Sequence, residues 1–528
     1  MKKTHRMLSV FLAAILLSTG MLGCSKNEED QNQNVTSSPS SQSTENQQNQ
    51  SSEEVVEVSA LFQAPSETNM DNEALLKIAE MSNIKVNWEL LPATSYKERF
   101  TVIMASNELP DLMHLSDMTL FTDCMDNGII APIQDALEGK ENIAKYTDPS
   151  SMLMVTSEDG SIYGVPRNSV PRADGLIVRK DWMDKVGFDF PEDGILTIDE
   201  FTELNRAFAE DDPDGNGKKD TYGLTMRSTG GVLMPPPRVL TAFGSWDGFE
   251  IAPEGSEYKY MIPKYSKTDP SFVESLKYMN MLWTKGYIDP NWPANDGNSY
   301  MDRFQSGACG ISACFGGWIG QWREIMLPNF PDVEFAYIYS IEGPDGNVKS
   351  RSTFGSNIYG VWCVSVNAED KAEAVMRYFD TLLSDEGWDY LMNGVEGIHY
   401  NVENGKKVYT EAYQKLNTDR SNLALLRRYT DPSLWLAPHL PEEELNEMQT
   451  VIDKCIELVE PNLDLGYVPP AALETKYIDY QTTVDTTMSK IITGDLEPDA
   501  WYDMLDGWYE AGGKDYMDQM NEFIISKE

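Results

Sequence analysis

Between Asp212 and Asp220 the chain reads Asp-Pro-Asp-Gly-Asn-Gly-Lys-Lys-Asp, a spacing of oxygen-bearing side chains that suits a hard divalent cation. Asp212, Asp214, Asn216, Gly217 and Asp220 stand at positions one, three, five, six and nine of a calcium-loop template. Alternate side chains turn toward one centre, Gly217 permits the sharp turn, and Lys218 offers its backbone carbonyl. A structural calcium ion is expected on Asp212, Asp214, Asn216, Lys218 and Asp220. Position twelve, where a bidentate Glu usually stands, is Gly223, and 222–226 reads as a strand, so this is no sensor EF-hand. The alternative is a solvated, Gly-rich turn with no ion.

Other chemistry is sparse. The sequence has no Gly-x-Ser-x-Gly elbow and no His-Glu-x-x-His, and His114, His399 and His439 lack metal-spaced neighbours. With 85 acidic residues some carboxylate pair is inevitable, but none stands apart as an acid/base couple. A secreted carbohydrate-active enzyme is therefore the weaker hypothesis, and the chain is read as a non-enzyme. An adhesin or scaffold would show repeats, which are absent.

The N-terminus reads as an address. Lys2, Lys3 and Arg6 precede an apolar run from Met7 to Leu17, too short to span a bilayer comfortably. The stretch ends Met21-Leu22-Gly23-Cys24, which resembles a bacterial lipobox. Residues 1–23 are expected to be a lipoprotein signal peptide, with Cys24 carrying diacylglyceryl and palmitate-class chains. An ordinary secretory signal with an incidental Cys is the alternative. Residues 24–54 are dominated by Ser, Asn, Gln, Glu and Thr and cannot bury enough apolar surface to offset ordering, so a disordered tether is expected.

The remaining body is long enough for two cores. Without Lys2, Lys3 and Arg6 the balance is 39 basic against 85 acidic residues, a net charge of −46. That field repels nucleic acid and argues against a polyanionic ligand. Five Cys remain after Cys24, an odd and scattered set rather than a disulfide framework. Cys309 and Cys314 are close enough in sequence to pair; burial as small hydrophobes is the other reading.

Strand and helix patterns alternate from the start of the body: a strand at 54–62, a helix around Leu75–Met81, a strand at 84–90, a helix at 96–105 and a strand at 110–115. This order predicts a parallel α/β sheet. Ligands of such sheets meet the loops beyond the carboxyl ends of the strands, here after Phe62, Leu90 and Leu115. Thr197 and Glu200 form a capping-box signature ahead of Phe201, Leu204 and Phe208. A further helix starts at Pro270 and stops at Gly286. A long C-terminal one carries Tyr477, Tyr480, Val484, Met488 and Ile491 and ends at Gly494.

Several segments together resemble the family 1 extracellular solute-binding lipoproteins of carbohydrate ABC transporters, a class that includes maltodextrin- and alginate-oligosaccharide-binding proteins. They are Leu109-Pro110-Asp111, the run 159–166 (DGSIYGVP), 178–182 (VRKDW), 212–223 (DPDGNGKKDTYG), 286–290 (GYIDP), 304–307 (FQSG), 394–400 (GVEGIHY) and 491–494 (IITG). The resemblance implies a two-lobed, type II periplasmic-binding-protein-like α/β fold, each lobe a sheet flanked by helices, with the ligand cleft between them. By analogy the lobes cross near 163–176, 311–318 and 359–365. The first lobe would then be 55–165 plus 316–358, and the second 170–312 plus 366–528. The implied role is capture of a carbohydrate, an oligosaccharide, for an ABC importer; a peptide or another polar solute is the alternative ligand. The implied partners are the permease subunits and, through the lipid, the outer face of a Gram-positive cell membrane. The protein would act as a monomer. In the alginate-binding relatives a similar loop carries calcium, with an acidic residue after the last Asp; here Thr221 stands there.

Sugar rings stack their C–H faces on aromatic side chains while polar groups bond the hydroxyls. Trp246, in a Gly-rich loop, and Trp318 with Trp322, after Gly316-Gly317, are the candidate platforms; a core role is the alternative for each. Trp88, Trp182, Trp283 and Trp362 are read as core. Polar candidates are Arg167, Asn168 and Arg172 at the first crossing, Ser116 and Asp117 after the third strand, and Glu396, His399 and Tyr400. For Arg167 and Glu396 a hinge or capping role is the alternative.

Overall fold

The computed structural model describes residues 55–528 apart from Ser66, Asn107, Asp117, Glu158, 169–170, Asp247, 352–357, Leu425, 428–438, Gly466 and 468–470. Residues 1–54, which include Cys24 and the expected signal peptide and tether, lie outside the described residues. Nine strands build the two larger sheets: β1 (Val56–Gln63), β2 (Ile84–Leu91), β3 (Leu112–Leu115), β4 (Val165–Asn168), β5 (Leu176–Arg179), β6 (Tyr222–Thr225), β7 (Cys309–Ala313), β8 (Phe335–Ile338) and β9 (Ile358–Val364).

The first sheet has the order β2-β1-β3-β9-β4. β1 pairs in parallel with β2 and β3, while β9 runs antiparallel to both β3 and β4. Val58, Ala60, Leu61 and Phe62 of β1 are all buried, as expected of a central strand covered on both faces. The helix α1 (Glu73–Met81) starts where the Asn72 side chain accepts the amides of Ala74 and Leu75, and it turns Ala74, Leu75 and Ile78 inward. Trp362 of β9 is fully buried, with Phe62 and His114 at 5.0 Å and Phe379 at 5.6 Å. Such a ring contributes on the order of 3–5 kcal/mol against truncation to Ala.

The second sheet has the order β8-β5-β7-β6. Gly310 sits in β7 because a Cβ there would come within 2.3 Å of Phe208 and 2.8 Å of Trp182, the edge-to-face pair packed on that strand. The helix Ile198–Glu210 forms with its capping box complete, Thr197 and Glu200 bonding each other's backbone amides. The helix Ser271–Thr284 and the long helix Ala471–Thr493 also form as expected, the latter stopping at Gly494 with φ 82°. Among the described residues no helix is long and apolar enough to cross a membrane.

The lobe membership departs from the analogy in two places. The stretch 316–358, expected in the first lobe, contains β8, which pairs with β5 of the second sheet. Ile319, Trp322 and Met326 accordingly pack with Phe335 and Tyr337 in the second lobe. The stretch 366–528, expected wholly in the second lobe, begins with residues of the first-lobe core. Ala372, Val375, Phe379, Leu382, Leu391 and Leu423 share one buried cluster with Val58, Phe62 and Trp362. The chain thus crosses between Asn168 and Leu176, as expected, then between Arg351 and Ile358, and again after Arg427.

Candidate functional site

The first two crossings pass between the strand ends of the two lobes. The first crossing runs from the end of β4 to the start of β5, and the second enters the start of β9. The ends of β1, β2, β3 and β4 and the start of β9 therefore form one wall, and the ends of β6, β7 and β8 with the start of β5 form the other. The helix Ala471–Thr493 is rooted in the second lobe through Val484, Met488 and Ile491, and its backbone also lies against α3 (Met118–Asp126) of the first lobe.

On the first wall Arg167 is buried. Its guanidinium donates to the Tyr359 carbonyl at 3.1 Å and stands 2.6 Å from His114 Nε2. Burial, and secondly the Arg167 charge, push the His114 imidazole pKa well below its ordinary value, so the neutral ring accepts a hydrogen bond from a guanidinium N–H. Gly360 (φ 115°) allows this approach, since a Cβ would lie 2.7 Å from that same nitrogen. Arg167 is thereby a packed part of the wall rather than an open ligand hand. Asn168 ends β4 opposite Ile358; its side chain and all of Asp117 lie outside the described residues. Ser116 follows β3, half-buried at the same edge.

The aromatic candidates belong to the second lobe, Trp318 just beyond the end of β7 and Trp246 in the loop before Phe249. Trp318 keeps 39% of its surface exposed and meets Phe315 edge-on at 5.9 Å. Phe315 in turn lies under the Arg172 guanidinium, 4.1 Å from its ring centre, and Arg172 is bidentate to Asp174 at 2.7 and 3.1 Å. Trp246 is half-buried, with the Arg351 guanidinium 5.1 Å over its ring. Arg351 donates to Glu250 at 2.6 Å, to the Phe249 carbonyl at 3.0 Å and to the Pro461 carbonyl. Burial raises the Glu250 carboxyl above its ordinary value, with the Arg351 charge opposing that.

Trp322, expected as a third platform, is not one: it is 3% exposed and packs 5.4 Å from Phe304 in the core. It belongs to the helix Ile319–Met326, whose buried stripe of Ile319, Trp322 and Met326 could have been read from the three- and four-residue spacing. Trp182 and Trp362 are fully buried, while Trp88 and Trp283 pack partly buried against the two cores.

Glu396, His399 and Tyr400 belong to the first lobe. Glu396 is exposed and bridges to Tyr400, which opens the hairpin Tyr400–Tyr409 beneath Lys407. His399 is buried and accepts the Val395 amide at 3.0 Å, its Nε2 3.9 Å from Glu73. Burial lowers its pKa, with Glu73 opposing. These contacts are those of a loop anchor.

The acidic loop is drawn together by its own amides. Asn216 Nδ2 donates to Asp214 at 2.7 Å and Asp220 at 3.0 Å, and the Gly217 amide donates to Asp212 at 2.9 Å. The other Asp212 oxygen is buried with no hydrogen-bond partner among the described residues. Burial first, and then the Asp212 and Asp220 carboxylates, raise Asp214 above its ordinary 3.8. Among the described residues no group of three or more His, Cys, Asp and Glu converges as a metal cage. The donor types, the orphaned Asp212 oxygen among them, nonetheless fit a hard cation. The five cysteines after Cys24 are buried and form no disulfide among the described residues; Cys309 and Cys314 do not pair, and burial lifts the Cys455 thiol to about 12.

Two α/β lobes with repeated crossings and a wall of strand ends on either side define a two-lobed binding protein. The chain belongs to the bacterial extracellular solute-binding protein family, whose model matches residues 73–387. It is 25% identical to lipoprotein LipO of Bacillus subtilis (strain 168) over 99% of both chains. The fold is similar to that of the alginate-binding protein AlgQ2, solved without calcium ion, with TM-score 0.67, 18% identity and coverage of 89% of this chain and 98% of that one. It is also similar to the substrate-binding protein FusA of S. pneumoniae in complex with kestose, with TM-score 0.66, 16% identity, and 89% and 99% covered.

Proposed function

We propose that this protein captures an oligosaccharide between its lobes and delivers it, uncleaved, to the permease of an ABC importer. One observation carries the reading: two indoles of the second lobe, Trp246 and Trp318, are kept at least partly exposed, each held against a packed neighbour. Aromatic faces held open in this way suit sugar rings. The names of AlgQ2 and FusA, binders of alginate and of kestose, support the same class. Tryptophan fluorescence titrated with an oligosaccharide panel tests it. Saturable change, with the sugar recovered intact by chromatography, is expected; cleaved sugar, or response only to peptides, would sink it.

The protein would work as a monomer on the outer face of the cell membrane, held by lipid on Cys24. The tether would let the body reach the permease. Calcium would sit on Asp212, Asp214, Asn216, Asp220 and the Lys218 carbonyl, where it would offset the crowded carboxylates and fix the loop between the helix Ile198–Glu210 and β6. The unpartnered Asp212 oxygen supports that assignment.

A further inference from the structure

The two braces in the second lobe share one design. In each, an arginine stacks on an aromatic ring and is bonded to a carboxylate of its own: Arg172 on Phe315 with Asp174, and Arg351 on Trp246 with Glu250. Both arginines are buried, so neither presents a guanidinium edge to solvent. The carboxylates fix the guanidinium planes, and the planes fix the rings. A uronic acid or other anionic sugar would need a cation to meet it, and these two are already neutralised. Arg167 is turned into the first wall toward His114 and the Tyr359 carbonyl. The exposed Arg227, just beyond β6, makes only a minor contribution to lowering the Asp296 carboxyl, which the Ser299 amide and hydroxyl hold at about 2. Around all of these the molecule as a whole repels anions.

We propose that the ligand is an uncharged oligosaccharide, and that Arg172 and Arg351 are positioning residues that brace the aromatic platforms instead of binding an anion. This rests on the reading that the cleft takes a sugar. The relatives leave both charge classes open, one being named for alginate and another solved with kestose.

The test is calorimetric titration of the full chain with neutral fructo-, gluco- and manno-oligosaccharides against oligogalacturonate and alginate oligomers, at low and high salt. At least one neutral glycan should bind roughly tenfold more tightly than any uronate, because an unmatched charge forfeits a charge-assisted bond. Salt should change that affinity little. A uronate that binds more tightly than every neutral glycan, with affinity falling as salt rises, would overturn the proposal while leaving the sugar-receptor reading intact. No glycan of either class binding would overturn both. Glu250→Gln, which releases the Arg351 charge beside Trp246, should shift the uronate-to-neutral ratio roughly tenfold toward uronate. Asp174→Asn is the parallel variant at Phe315, should the first fail to fold. An unchanged ratio in a folded variant would contradict the brace.

Discussion

A tryptophan at a binding wall is useful only if it stays open, and burial would otherwise claim it. Trp246 and Trp322 make the contrast. Trp322 takes the common course: its helix turns it inward, against Phe304. Trp246 is stopped short because Arg351 covers one face of the ring and is itself fixed by Glu250. Trp318 is propped by Phe315, where Gly317 leaves room; a Cβ at Gly317 would lie 2.4 Å from that ring. Truncating either open indole removes a stacking face and little core. Trp246→Ala and Trp318→Ala should therefore each weaken sugar binding by about 1–2 kcal/mol with melting nearly unchanged. Trp322→Ala should instead cost about 3–5 kcal/mol of stability. Calorimetric binding and thermal melts separate these outcomes, and normal binding by both folded platform variants would move the site elsewhere.

Local signals were legible where a short element satisfies itself. The Thr197–Glu200 capping box, the Asn72 cap and the stop at Gly494 all follow from a few neighbouring residues. What local pattern does not carry is which sheet a strand joins. β8 enters the second sheet by pairing with β5, more than a hundred and fifty residues earlier. The helix Ala372–Leu383 joins the first-lobe core because its apolar face meets β1 and β9, not because of its place in the sequence. The braces were half legible: Arg172 and Asp174 are two residues apart, whereas Arg351 and Glu250 are joined only by the fold.

The acidic loop gives a prediction with a sign at this scale. A carboxyl raised in the folded state costs stability once ionised. The metal-free protein should lose stability as pH climbs from 3.8, the ordinary value, through the raised Asp214 pKa. Calcium reverses the balance, because an ion that binds only the folded state stabilises it by mass action. At neutral pH, Asp214→Asn should raise the melting temperature in chelator and lower it in calcium. A melt that responds to neither calcium nor the substitution would remove the ion from the account.

For the whole molecule, the separation of duties is spatial. The cleft lies where the chain crosses, so a small change in the crossings moves two entire sheets, while the aromatic braces stay within one lobe. The proposed membrane attachment would act through Cys24, so Cys24→Ser should release the protein into the aqueous phase of a detergent partition without loss of sugar affinity. Unchanged partitioning would rule out the lipid. On the proposed function, binding would couple sugar to shape, because a closed arrangement would bring both walls onto the ligand and the sugar would select it. Small-angle X-ray scattering on the full chain, with and without a saturating oligosaccharide identified by titration, reads that directly. The radius of gyration should fall on saturation, with the sugar recovered intact; an unchanged radius at full occupancy would contradict capture by closure of the lobes.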